Sequence, residues 1–217
     1  MLIAFAFTVS VNAQANYDSS FHFYYYDQKL TMFELMPKQK NAIIWVGDSI
    51  TDMGEWNELF SKYKTVNRGV SSDITFAVLN RMYEIVRHKP KKVFVMIGIN
   101  DISRNIPDEV IVNNYRRIID SLQLQTPITK IYMQSVLPTN NTFTLFKNHQ
   151  DKNEHILFVN NELKKICVEK KVTYINLYDA FLISEGKMNP KYTNDGLHLT
   201  GEGFLKWKEV LVEIKAL

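Results

Sequence analysis

A serine hydroxyl becomes a nucleophile when a base takes its proton. An imidazole does this best when a carboxylate fixes its tautomer and stabilises the imidazolium. Ser49 lies in Gly47-Asp48-Ser49-Ile50-Thr51, and Asp195 and His198 stand three apart in Asn194-Asp195-Gly196-Leu197-His198. Asp-x-x-His spacing can supply both base and orienting carboxylate from one rigid turn. The remaining need is donors aimed at an oxygen that becomes negative in a tetrahedral intermediate, each worth about 3 to 4 kcal/mol of barrier. The candidates are the backbone N–H groups of Ser49 and Gly69 and the side-chain amide of Asn100, in Asn67-Arg68-Gly69 and Gly98-Ile99-Asn100-Asp101. Glycine allows close approach to its N–H, and a neutral amide cannot take the serine's proton. Each residue alone has a plainer reading: Ser49 as a helix N-cap, Asp195, Gly69 and Asn100 as turn formers, His198 as a hydrogen-bonded surface or core histidine.

The elements that must position these residues are legible in the hydropathy pattern. Short apolar runs at Ala42 to Val46, Thr65-Val66, Val93 to Ile97, Ile128 to Met133 and Val172 to Ile175 alternate with helical spacing over 52–61, 73–88, 108–125 and 154–170. A last helix is expected from Gly201 to about Ala216. Strands alternating with helices predict βαβ units around a five-stranded parallel sheet in a three-layer α/β/α sandwich. In such sheets ligands bind beyond the carboxyl ends of the strands, which is where Ser49, Gly69 and Asn100 fall. Thr51 occupies the place of the second glycine in G-x-S-x-G, so the serine block is not the elbow of the α/β-hydrolases.

The chain has 217 residues with 46% apolar and 23% charged, and 26 basic against 23 acidic residues leave a net charge of only +3. These values fit one globular domain and exclude a wholly disordered chain, a coiled coil or a basic nucleic-acid arm. The single cysteine, Cys167, cannot form an internal disulfide and reads as a small core residue. Residues 1–15, opening MLIAFAFTVSV and ending Ala13-Gln14-Ala15, match a signal peptide and predict a secreted or periplasmic protein, although no Lys or Arg precedes Lys29. Residues 16–41 read as an aromatic, irregular lead-in packed on the outside of the domain at 42–217. His149 and His155, near Asp151 and Glu154 in a polar loop, match no familiar metal-ligand spacing, and solvated loop residues are the simpler account. The same loop is expected to border the pocket. Asn140-Asn141-Thr142 fits a glycosylation acceptor, Lys89-Pro90-Lys91-Lys92 reads as a solvated connector, and Trp207 as core.

Taken together, the four blocks around Ser49, Gly69, Asn100 and Asp195/His198, in this order, resemble the SGNH hydrolases, also called the GDSL esterase/lipase family. The resemblance runs from about residue 42 to 205. It implies a flavodoxin-like fold and ester hydrolysis with no cofactor and no metal. It further implies Ser49 as nucleophile, His198 as base, Asp195 as its orienter, and Ser49, Gly69 and Asn100 as the oxyanion hole. Ile50 replaces the eponymous Leu, and Ser72 stands where many relatives carry a further glycine, which puts the local loop shape in question. Compact members related to platelet-activating-factor acetylhydrolase subunits and to bacterial carbohydrate O-acetylesterases are the nearest in pattern. A serine esterase for short, chiefly acetyl, esters of a carbohydrate is the resulting expectation, acting on a small-molecule or glycan ester without nucleic-acid partner or membrane insertion. A lysophospholipase or thioesterase acting on longer chains, and a non-catalytic carbohydrate-binding protein on an esterase scaffold, stand as alternatives.

Overall fold

Along the first strand, alternate side chains enter opposite layers: Ile44 and Val46 join one buried cluster, Ile43 and Trp45 the other. A strand buried on both faces belongs inside a parallel sheet covered by helices on both sides. The computed structural model describes residues 17–183 and 186–217 and shows that arrangement. In chain order its elements are α1 (Tyr24–Leu35), β1 (Ile43–Gly47), α2 (Ser49–Asp52), α3 (Trp56–Leu59), β2 (Thr65–Gly69), α4 (Thr75–Asn80), α5 (Met82–Val86) and β3 (Lys92–Met96). Then follow α6 (Ile99–Ser103), α7 (Asp108–Gln125), β4 (Lys130–Gln134), α8 (Asn153–Lys170), β5 (Thr173–Ile175), α9 (Tyr178–Phe181) and α10 (Gly201–Glu213). The strands form one five-stranded sheet in the order β2-β1-β3-β4-β5, every neighbouring pair parallel. The expected three-layer α/β/α sandwich is therefore the fold.

The two layers differ in chemistry. One is mostly aliphatic, with Val93, Val95 and Ile97 facing Ile111, Ile118, Leu122, Val159 and Leu163 of α7 and α8. The other is aromatic: the Trp45 ring stacks on Trp56 at 4.0 Å and on Phe94 at 4.5 Å, and Trp207 of α10 meets Trp56 edge-on at 4.9 Å. Register places Gly47 beside both Gly69 and Met96, so the loops carrying Ser49, Ser71 to Asp73 and Asn100 emerge side by side.

Three expectations need correction. The lead-in is not irregular: 24–35 is helix α1, and Tyr26 and Phe33 on it are buried in the aliphatic layer. The helix expected over 52–61 shrinks to α3 at 56–59, with α2 ending at Asp52, because the Thr51 carbonyl accepts the Gly54 N–H (3.2 Å), the Trp56 indole N–H (2.8 Å) and Asn67 Nδ2 (3.1 Å), not the Glu55 N–H of a continuing turn. The stretch 73–88 breaks at Arg81 (φ −99°, ψ 14°), whose buried side chain turns back to Asp73 with Nη2–Oδ2 at 2.7 Å. By contrast α7 spans the expected 108–125. The leader expected over 1–15 lies outside the described residues.

Candidate active site

β1 ends at Gly47, and Asp48 caps the next helix by accepting the Ile50 N–H at 3.0 Å. Asp48 thus takes the capping role that Ser49 alone suggested, and the hydroxyl of Ser49, the first residue of α2, is left free for another partner. Its Oγ lies 2.9 Å from His198 Nε2, and His198 Nδ1 lies 2.7 Å from Asp195 Oδ2. These three residues, 149 and 3 positions apart in sequence, form one continuous hydrogen-bonded line. The nitrogen facing a carboxylate carries the proton, so Nε2 is the acceptor for the serine O–H.

The turn before α10 is built to hold that line. Asp195 Oδ1 accepts the backbone N–H groups of Leu197 and His198, both at 2.8 Å, which fixes the carboxylate relative to the imidazole. Gly196 has φ +88°, and a Cβ there would meet the Asn140 carbonyl at 2.4 Å, so only glycine allows the turn to pack against the loop after β4. Burial pushes the Asp195 carboxyl up, but the hydrogen bonds from Leu197 and His198 outweigh it and hold the group below the ordinary carboxylate value.

Gly69 does not play the part expected of it. Its N–H donates to Asn67 Oδ1 at 2.8 Å, and it closes β2 where a Cβ would lie 2.2 Å from the Asp52 nitrogen. Its missing side chain serves the close approach of α2 to β2, and the N–H is already spent. The neighbouring unpaired donor is Ser72, whose N–H has no partner among the described residues. Ser72 has φ +68°, the left-handed conformation that glycine adopts freely, so the substitution keeps the loop shape that a glycine would give. On one side of it Ser71 N–H and Oγ bond Asp52 of α2; on the other the Asp73 carbonyl accepts Asn100 Nδ2 at 2.9 Å. Ser72 therefore sits between Ser49's helix and Asn100. The Ser49 N–H is likewise without a partner among the described residues.

Two features of the site escape the motif pattern. The lead-in helix α1 reaches the serine helix: Tyr25 Oη and Lys29 Nζ bond the two oxygens of Asp52 at 2.7 and 2.6 Å. Tyr26, Leu30 and Phe33 stand at i, i+4 and i+7, a spacing that marks this helix in the sequence. The loop after β4 brings Phe146 edge-on to the His198 ring at 4.8 Å and His149 Nε2 to within 2.9 Å of Asn100 Oδ1. His149 and His155 part company, the latter lying 2.9 Å from Asp108 Oδ2. Among the described residues no group of three or more His, Cys, Asp or Glu is placed to hold a metal ion. Asn140 is buried, with Nδ2 on the Met188 carbonyl and Oδ1 on Thr142, so it does not present the amide that a glycosylation acceptor must expose. Cys167 is buried in the aliphatic layer, and burial pushes its thiol up to about 12.

With this geometry in hand, the class is plain. The GDSL-like Lipase/Acylhydrolase family model matches residues 45–205, and the chain belongs to that family of carboxylic ester hydrolases. The rat platelet-activating factor acetylhydrolase IB subunit alpha2 is 29% identical over 180 residues, covering 79% of this chain and 75% of its own length. Among solved structures, a GDSL-like lipase from Bacteroides thetaiotaomicron superposes with a TM-score of 0.77 at 21% identity, over 88% of this chain and 98% of its own. A catalytic mutant of Axe2, an acetylxylan esterase from Geobacillus stearothermophilus, superposes with a TM-score of 0.64 at 18% identity, over 82% and 95%. At these identities the two structures share the fold.

Proposed function

We propose that the protein is a serine esterase that removes short acyl groups, chiefly acetyl, from a carbohydrate or similar alcohol through an acyl-enzyme. The observation that carries this reading is the unbroken line Ser49 Oγ, His198 Nε2, His198 Nδ1, Asp195 Oδ2. Ser49 Oγ attacks the ester carbonyl as His198 Nε2 takes its proton, and Asp195 stabilises the imidazolium. The oxyanion receives the N–H groups of Ser49 and Ser72 and the free Nδ2 hydrogen of Asn100. Collapse breaks the bond to the alcohol oxygen, which leaves with the proton from His198. Water then repeats the sequence and releases the acid, restoring Ser49.

The acyl length rests on a second observation. A cavity of about 10 Å³ is lined by Asp48 and mainly by apolar side chains, among them Ile50, Ile99, Leu137 and Leu197; Ser49, Asn100 and His198 do not line it, but their chain neighbours Ile50, Ile99 and Leu197 do. A space of that size accommodates about one water or a methyl group. The acetyl group also appears in the names of the rat relative and of the Geobacillus esterase, and the latter's xylan is a carbohydrate alcohol. Export of the protein is our reading of the leader pattern at 1–15. Ser49→Ala is expected to abolish turnover of p-nitrophenyl acetate in folded protein, and full retained activity would overturn the mechanism. An acetyl ester is expected to be turned over with a higher kcat/KM than a decanoyl ester; the reverse order would assign a long-chain acylhydrolase.

A further inference from the structure

The Asn100 side chain is held from two sides. Nδ2 donates to the Asp73 carbonyl at 2.9 Å, and Oδ1 lies 2.9 Å from His149 Nε2. The Asp73 carbonyl can only accept, so the amide nitrogen faces it and the amide oxygen faces His149. That oxygen can only accept too, so the His149 proton must sit on Nε2. Nδ1 is then a bare lone pair, and it is buried with no donor among the described residues. A second proton there would create a charge with no acceptor. Burial, reinforced by the nearby His198, holds His149 down at about 4.

The backbone that carries His149 is fixed as firmly as the ring. Its carbonyl accepts Thr139 Oγ1 at 3.2 Å, and the buried Gln150 side chain next to it donates to the Phe143 and Leu145 carbonyls at 3.1 and 2.7 Å. The Asn140 N–H of the same loop bonds the Gly196 carbonyl at 2.9 Å, on the turn that carries Asp195 and His198. His149 is thus a neutral donor, pinned in place, with its one N–H spent on one amide oxygen.

We propose that His149 is a positioning residue of the esterase site: its Nε2–H holds the Asn100 amide in the orientation that leaves one Nδ2 hydrogen for the oxyanion. This inference rests on the esterase reading above. Without His149 the amide keeps its bond to Asp73 but loses the constraint on its oxygen, and a donor that has become loose stabilises charge less well.

The test is steady-state hydrolysis of p-nitrophenyl acetate by His149→Ala, His149→Gln, Asn100→Ala and the Asn100→Ala/His149→Ala double variant, with Ser49→Ala as the control for the reading itself. Asn100→Ala is expected to lower kcat by about 10²- to 10³-fold, as loss of an oxyanion donor does. His149→Ala is expected to lose less, about 10-fold in kcat with KM nearly unchanged, as befits a group acting only through that donor. His149→Gln can still donate to Oδ1 and should recover most of the loss. In the double variant His149→Ala should cost nothing further, because the amide it orients is gone. A general packing role would instead lower kcat equally in both backgrounds. Where His149→Ala lowers the melting temperature, His149→Leu fills the space without the donor and replaces it. Wild-type kcat in the donorless variant, or an equal further loss on Asn100→Ala, overturns the proposal. Activity retained in Ser49→Ala overturns the esterase reading, a result distinct from either.

Discussion

Three buried aspartates lie in the segments that follow β1, β2 and β3, and a fourth, Asp195, lies on the turn before α10. Asp48, Asp73 and Asp101 are buried, and burial pushes Asp48 and Asp101 up to about 7 and Asp73 to about 6 against the pull of Arg81. Asp195 is the more exposed, and the hydrogen bonds it accepts carry it below the ordinary value despite burial. The difference lies first in burial: Asp101 accepts the Thr75 N–H and hydroxyl and Asp73 Oδ2 accepts from Arg81, yet desolvation outweighs these bonds, whereas at the more exposed Asp195 the donors win. Asp48 accepts one backbone N–H, and Asp73 Oδ1 has no partner among the described residues. Asp195 accepts two backbone N–H groups on one oxygen and the imidazole on the other. The comparison teaches where negative charge is wanted. In the proposed mechanism the charge opposite His198 stabilises the imidazolium as the serine is deprotonated. Near the proposed oxyanion donors a full set of carboxylate charges would repel the developing oxyanion, and desolvation shifts Asp48 and Asp101 toward their neutral forms, while Arg81 opposes that shift at Asp73.

The largest expected effect breaks the comparison at its charged end. Asp195→Asn keeps the shape but removes the acceptor that fixes the His198 tautomer, and should lower kcat by about 10⁴-fold in steady-state assays. The pH dependence of stability sharpens the contrast, because the two regions carry opposite signs. Asp101, raised to about 7 from 3.8, keeps its proton in the folded state where the unfolded chain has lost it. Its contribution therefore declines as pH rises from about 4 to 7 and is constant above. Asp195, lowered from 3.8, contributes stability above that value and loses it on acidification. Melting temperatures measured from pH 3 to 8 should show the slope between about 4 and 7 flatten in Asp101→Asn, while Asp195→Asn alters only the acidic limb. The smallest effect concerns the support that α1 gives the serine helix. Tyr25→Phe removes the hydroxyl bonded to Asp52 and should cost about 0.5 to 1.5 kcal/mol in denaturant unfolding, with kcat little changed.

Much of this arrangement is written in residue order, and the exceptions have physical causes. Ser49, Asn100 and the Asp195/His198 turn were recognisable because each follows an apolar run or a glycine turn, and α7 because Ile111, Ile118 and Leu122 repeat at helical spacing on one face. The donor at Gly69 was misread because spacing along a strand end does not say which N–H in Gly69 to Ser72 the fold leaves unpaired. The Asn67 side chain decides that, and it is a tertiary choice. Consecutive aromatics at Tyr24, Tyr25 and Tyr26 hid the helical face of α1, since only Tyr26 of the three is buried. His149 lies 49 residues from Asn100, and nothing local to either residue announces their bond.

The central claim is that Ser49 is activated by a His198 held in place by Asp195. Labelling with a fluorophosphonate probe, followed by intact-mass and peptide mass spectrometry, tests it most directly because the probe reports the nucleophile itself, independent of any chosen substrate. The account predicts one label per chain, on Ser49, formed rapidly by the wild type and far more slowly by His198→Ala and Asp195→Asn. Labelling at another residue, or an undiminished rate at Ser49 without His198, would contradict it.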